Sequence, residues 1–167
     1  LVVDGIMYLT EAPNTVVALD AAHGRVFWRY EYTPSNLSRP CCGRVNRGVA
    51  ILGDTLFMGT IDAKLIAIDA ISGEPIWQTD VADAEAGYAL TLSPLIVKDK
   101  VIVGIAGGEY GIRGFISAYD VNTGEEAWKF YTIPGPGEPG HETWQDDDWM
   151  YGGASAWITG SYDPDTD

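Results

Sequence analysis

A chain of 167 residues has the length of about one domain, and its 46% hydrophobic, 20% charged composition excludes a wholly disordered polypeptide. Twenty-four acidic residues against ten basic ones give a net charge of −14. That balance argues against a nucleic-acid partner, because phosphate contacts need clustered Lys and Arg.

The chain opens on an expected hairpin, Leu1 to Leu9, with Asp4-Gly5 between two β-rich runs. A second element follows, Val17-Ala18-Leu19-Asp20, then a turn through Gly24, then a second strand ending in Trp28. The pattern returns as Val49 to Gly59 around Gly53-Asp54, followed by Ile66-Ala67-Ile68-Asp69, Gly73 and Trp77. It returns again as Leu95 to Gly104 around Lys98-Asp99-Lys100, followed by Ser117-Ala118-Tyr119-Asp120, Gly124 and Trp128.

Each unit contains A-x-D-x-x-x-G-x-x-x-W, and the glycines recur 49 and 51 residues apart. Repetition at that period marks stacked supersecondary units. Two hairpins per period make a four-stranded sheet, and such sheets repeated radially make an all-β propeller. The Asp can accept hydrogen bonds from the turn, the Gly can take positive φ, and the Trp offers a flat face for the next unit. A β-sandwich is the weaker reading, since it leaves the three aligned Gly and Trp positions to coincidence.

No apolar run approaches the roughly 18 residues of a membrane span. No basic segment leading into an apolar one marks a signal peptide. The chain begins inside an expected strand and stops in the acidic stretch 162–167. Both ends therefore read as cut, and the domain reading is 1–167 as a partial propeller truncated at both ends, with about three blades visible. The acids Asp146, Asp147 and Asp148 read as solvated surface, as do Asp163, Asp165 and Asp167. His23 and His141 have no metal-ligand partner at useful spacing.

Cys41 and Cys42 are the only cysteines and are adjacent. On their own they could be free thiols or a vicinal disulfide. Their neighbourhood, Cys41-Cys42-Gly43-Arg44-Val45-Asn46-Arg47-Gly48, resembles the C-C-x-x-V-N-R-G signature of the PQQ-dependent methanol and ethanol dehydrogenases. Further along, Gly107-Gly108-Glu109-Tyr110-Gly111-Ile112-Arg113-Gly114 resembles that family's G-A-E-x-G-x-R-G loop, and Gly152-Gly153-Ala154-Ser155-Ala156-Trp157 resembles its G-G-G-x-x-W strand. The three Asp/Gly/Trp repeats look like its tryptophan-docking motifs. The resemblance covers essentially the whole chain.

It implies an eight-bladed quinoprotein propeller and a periplasmic enzyme that oxidises an alcohol to a carbonyl. It also implies roles for single positions. Cys41 and Cys42 would form a disulfide against one face of pyrroloquinoline quinone (PQQ), and Trp157 would cover the other. Arg47 would pair with a cofactor carboxylate, Thr91 and Ser155 would contribute hydroxyls, and Gly107 and Gly108 would bring backbone close to the cofactor. Glu109 would ligate calcium or a lanthanide, a hard cation that takes oxygen donors. Ala106 stands where the family often has Ser, which removes one hydroxyl. Electrons would leave to a cytochrome c or a quinone.

The same resemblance places other parts outside these residues: a first PQQ-binding Glu before Leu1, a metal-binding Asn after Asp167, and the catalytic Asp beyond it. No catalytic residue is assigned within 1–167, and the piece alone is expected to be inactive. The alternative is a non-catalytic PQQ-repeat scaffold that binds protein partners. Such a scaffold shares the docking repeats but is expected to lack Cys-Cys, the Gly-Gly-Glu loop and the Gly-rich lead into Trp157.

Overall fold

Runs of alternating apolar residues separated by tight turns fold here into antiparallel strands. The computed structural model describes residues 1–36, 38 and 40–166, so Asp167 of the acidic end lies outside it. The first sheet holds β1 (Val2–Val3), β2 (Ile6–Glu11), β3 (Thr15–Asp20) and β4 (Val26–Glu31). The second holds β5 (Ala50–Leu52), β6 (Thr55–Gly59), β7 (Lys64–Asp69) and β8 (Pro75–Asp80). The third holds β9 (Leu95–Val97), β10 (Lys100–Gly104), β11 (Phe115–Asp120) and β12 (Glu126–Tyr131). In each sheet the strands lie in sequence order, every neighbour antiparallel, as in propeller blades. Among the described residues there is no α-helix, and three single 3₁₀ turns are the only helical pieces.

The repeat motif has the same geometry in every blade. Ala18 pairs with Trp28, Ala67 with Trp77 and Ala118 with Trp128, and a bulge follows the alanine each time. A small residue opposite the indole leaves room for it across the ladder. The strand does not end at the Trp, as the repeat motif suggests, but continues to Glu31, Asp80 and Tyr131. Asp69 accepts the Ile71 and Ser72 amides at 3.0 and 2.7 Å, and its own carbonyl accepts the Gly73 amide at 2.8 Å. Asp20 and Asp120 do the same in their turns. These bonds hold all three aspartate carboxyls below the ordinary value of 3.8, with a backbone amide the leading cause in each.

The core lies between blades. Tyr8, Val16 and Ala18 of the first pack on Leu56, Met58, Ile66 and Ile68 of the second. Phe57, Leu65 and Ala67 on the other face of the second pack on Val101, Val103, Phe115 and Tyr119 of the third. Burying a side chain such as Phe57 stabilises by roughly 1.5–3 kcal/mol relative to leaving it in water. At the outer edge Trp28 donates to the Ala70 carbonyl and Trp77 to the Val121 carbonyl, both at 3.1 Å. Each indole lies on the turn glycine of the next blade: a Cβ on Gly73 would sit 2.7 Å from Trp28, and one on Gly124 would sit 2.6 Å from Trp77.

One expected element differs. Residues 152–157 are not a strand: they make a single bridge, Arg113 to Gly153. Gly153 and Ala154 both take positive φ, 78° and 49°, and two such residues in a row turn the backbone out of a ladder.

Candidate functional site

Blade strands leave their connections free to meet at one end, and four of them do. Stretches 40–47, 87–91, 106–109 and 155–157 line a cleft of about 270 Å³. It brings together Cys41, Cys42, Arg47, Thr91, Gly107, Glu109, Ser155 and Trp157. Gly108 is the one expected site residue off its wall: it packs behind Ser155, whose Oγ would lie 3.1 Å from a Cβ built there.

The floor on one side is a disulfide between Cys41 and Cys42, with Cα atoms 3.8 Å apart. That settles the choice between free thiols and a bridge. Both flanks of the pair are moored to one turn of the second blade. Ahead of it, the Tyr32 hydroxyl and the Ser35 amide donate to buried Asp62, each at 2.9 Å, and Ser38 Oγ donates to the Ile61 carbonyl. Behind it, Asn46 donates to the Gly59 carbonyl at 2.9 Å and accepts the Gly48 amide at 2.9 Å. Burial, then the bond to Asp62, pushes the Tyr32 phenol up, so it stays a donor.

Trp157 stands on the cleft with its ring partly exposed. The Arg47 guanidinium lies over that ring, 4.9 Å from its centroid, and donates to the Thr91 carbonyl at 3.1 Å. Arginine is suited to this double use, stacking by its face while its edge N–H groups donate. Beyond the ring, Thr159 Oγ1 donates to the Ser93 carbonyl at 2.6 Å, fixing the chain that carries Trp157 to the stretch that carries Thr91.

Glu109 sits in a single 3₁₀ turn, Gly108–Tyr110, closed by the Tyr110 amide on the Gly107 carbonyl at 2.9 Å. Gly107 and Gly111 flank it with φ of 119° and 68°, conformations that ordinary residues adopt only under strain. Gly107 is doubly constrained, since a Cβ there would run into the Gly87 carbonyl. The exposed Glu109 carboxylate comes within 3.3 Å of Cys41 Sγ. A disulfide sulfur carries no proton, so this is a contact and not a hydrogen bond. Cys41, Cys42 and Glu109 are the only three ligand-type side chains that cluster among the described residues, and the bridge removes both thiolates from that set. What remains is one oxygen donor, the type a hard cation takes, needing further oxygens from its bound partner or elsewhere.

Comparison with known proteins decides the family. The glucose/ethanol/alcohol dehydrogenase β-propeller domain, the PQQ family, matches residues 1–167. The chain belongs to this family. Among PQQ-family relatives, the quinohemoprotein alcohol dehydrogenase ADH IIB of Pseudomonas putida is 44% identical, over 98% of this chain and 26% of that protein. The lanthanide-dependent methanol dehydrogenase of Methylacidiphilum fumariolicum is 40% identical, over 100% of this chain and 31% of that protein. A solved europium-containing methanol dehydrogenase superposes with a TM-score of 0.92 at 38% identity, over 100% of this chain and 33% of that one. The chain thus spans about a quarter to a third of the length of these relatives.

Within this PQQ-family blade set, the acids Asp146 to Asp148 are exposed, as expected of a solvated surface. His23 pairs with Asp20 of its own turn, at 3.0 Å, and His141 meets the edge of Trp149. Sequence reasoning missed Gly87, Ala89 and Pro40 on the cleft wall. Ala89 is there because it bridges Ala106 across the cleft base, its amide on the Ala106 carbonyl at 3.2 Å. No local signal in the sequence marks that pairing.

Proposed function

We propose that the cleft binds PQQ together with a calcium or lanthanide cation, and that the protein containing these residues oxidises an alcohol to a carbonyl. The observation that carries this is the convergence of the disulfide, Arg47, Glu109 and Trp157 on one cleft from four separate connections. Its volume is near the lower edge of the roughly 300–1,000 Å³ typical of small-molecule sites, which suits a flat ligand.

A planar tricarboxylate asks for two flat walls and a cationic clamp. The Cys41–Cys42 bridge and the Trp157 indole serve as the walls, and they exclude water from both ring faces. Arg47, held by Trp157 and Thr91, presents its remaining N–H groups to a carboxylate. Thr91 and Ser155 add hydroxyls, and Gly107, with Gly108 behind it, leaves backbone uncovered by side chains. Glu109 is the chain's ligand to the cation. When bound, PQQ supplies a two-electron acceptor, and the cation polarises its carbonyl.

The names of the relatives support an alcohol as substrate and, in two of them, a lanthanide as the cation. Calcium, another hard cation, takes the same oxygen donors. Electrons then pass to a cytochrome c or a quinone. A disulfide fits an oxidising compartment, which supports a periplasmic location.

The test is a titration of the cofactor-free intact protein with PQQ, with calcium or with lanthanum, followed by tryptophan emission. Cation-dependent uptake is expected, weakened by Trp157→Ala and stripped of its cation dependence by Glu109→Gln. No uptake with either cation would favour the non-catalytic scaffold instead.

A further inference from the structure

We propose that Arg113 is the positioning residue of the cleft, fixing the Glu109 turn and the Trp157 wall to each other without touching the cofactor. This rests on the reading of the cleft as a PQQ and cation site. Arg113 does not line the cleft, and its side chain is only 17% exposed. Its backbone and its guanidinium engage two segments that must agree in position.

Its backbone belongs to the Glu109 loop. The Tyr88 hydroxyl accepts the Arg113 amide at 3.2 Å and donates to the Arg113 carbonyl at 3.3 Å. The neighbouring residues pair with the segment leading to Trp157: the Gly153 amide donates to the Ile112 carbonyl at 2.8 Å, and the Gly114 amide to the Gly153 carbonyl at 2.7 Å. Arg113 is thus the residue across which the two segments are bridged.

Its side chain reaches the long connection between β12 and Gly152. Nε and Nη2 both donate to the Ile133 carbonyl, at 3.0 and 2.7 Å, and Nη2 meets Glu138 at 3.3 Å. The guanidinium carbon lies 3.8 Å from the Tyr131 ring centroid and 4.7 Å from that of Trp149. Tyr131 ends β12, and Trp149 lies in the 3₁₀ turn Asp148–Tyr151 just before Gly152. One planar cation therefore holds both ends of the connection that delivers Ser155 and Trp157. Its own backbone fixes the turn that delivers Glu109. An ammonium could not reproduce this, since it has neither the fork nor the stacking face.

The experiment measures calcium affinity of the intact protein in the presence of PQQ, with melting temperature in parallel. Arg113→Met is expected to raise the calcium Kd about tenfold, the low end of what supporting partners of a metal site contribute. Arg113→Lys is expected to recover only part of that. Trp28→Phe, a destabilising change at a blade interface that does not line the cleft, is expected to lower the melting temperature and leave Kd within about twofold. A Kd for Arg113→Met within about twofold of wild type overturns the proposal, as does an equal rise in Trp28→Phe. Should Arg113→Met fail to fold, Trp149→Leu takes its place by removing one ring from the guanidinium. A rise of about threefold is then expected, and an unchanged Kd overturns the proposal. Absence of PQQ uptake by the wild-type protein is a different result: it overturns the cleft reading itself.

Discussion

The blade interfaces and the cleft are built from the same chain by opposite means. At the interfaces the chain repeats itself: Trp28 and Trp77 make the same 3.1 Å bond to the next blade and cover the same turn glycine. At the cleft nothing repeats. A disulfide, a 3₁₀ turn, a single bridge and an irregular tail meet once, from four connections. Stability therefore resides mostly in shared, redundant contacts, and recognition in unique ones. A substitution in one region is expected to leave the other's readout largely alone.

The strongest challenge to that division is Phe57→Ala. It empties a fully buried position between the second and third blades and is expected to cost about 3–5 kcal/mol in denaturant unfolding. PQQ affinity of the fraction that remains folded is expected to stay put. Next is Gly107→Ala, which forces a side chain into a left-handed position against the Gly87 carbonyl. Strain of about 1–3 kcal/mol is expected, together with loss of PQQ uptake, because the Glu109 turn moves. If uptake survives, the cleft tolerates more than its geometry implies. Trp28→Phe and Trp77→Phe each delete one indole donor and are expected to cost about 1 kcal/mol apiece, by equal amounts. Unequal costs would break the equivalence of the two interfaces.

The smallest effects are those of pH, and they arise in the blades. Burial pushes the Tyr119 phenol up to about 12 from an ordinary 10, so the folded state holds its proton more tightly. Its contribution is complete below about pH 10 and is lost as pH rises through the folded value. Tyr119→Phe is expected to flatten unfolding midpoints across that alkaline range. Asp20, Asp69 and Asp120 act in the other direction. Their carboxyls lie below 3.8 in the fold, so their contribution is present above that value and fades as pH falls through the lowered ones. Asp69→Asn is expected to reduce the acid-side slope of the melting temperature.

The blades were legible because their causes are local. Asp4-Gly5 turns a hairpin, and both residues take positive φ as a two-residue turn requires. Asp69, Gly73 and Trp77 act within one turn and its neighbour. Much of the cleft was legible only through resemblance, since nothing in Cys41-Cys42 alone selects a disulfide over thiols. The role of Arg113 was not legible at all. Its motif stood in plain view, but Tyr88, Ile133 and Trp149 come to it from segments 20 to 36 positions away. No periodicity records such contacts. The stretch 152–157 misled for a related reason: its glycines look like a strand's lead-in, yet positive φ at Ala154 is visible only in the backbone.

A covalent bridge between sequence neighbours has an unusual consequence. It closes only a small ring with no residue between the cysteines, so it removes little freedom from the unfolded chain, and chain entropy gives it little to contribute to folding. Its worth is chemical and geometric: two sulfurs fixed side by side as a rigid tile, with no proton to lose and no rotamer to search. Left as thiols, they would stand as nucleophiles along the wall here proposed to face an electrophilic quinone.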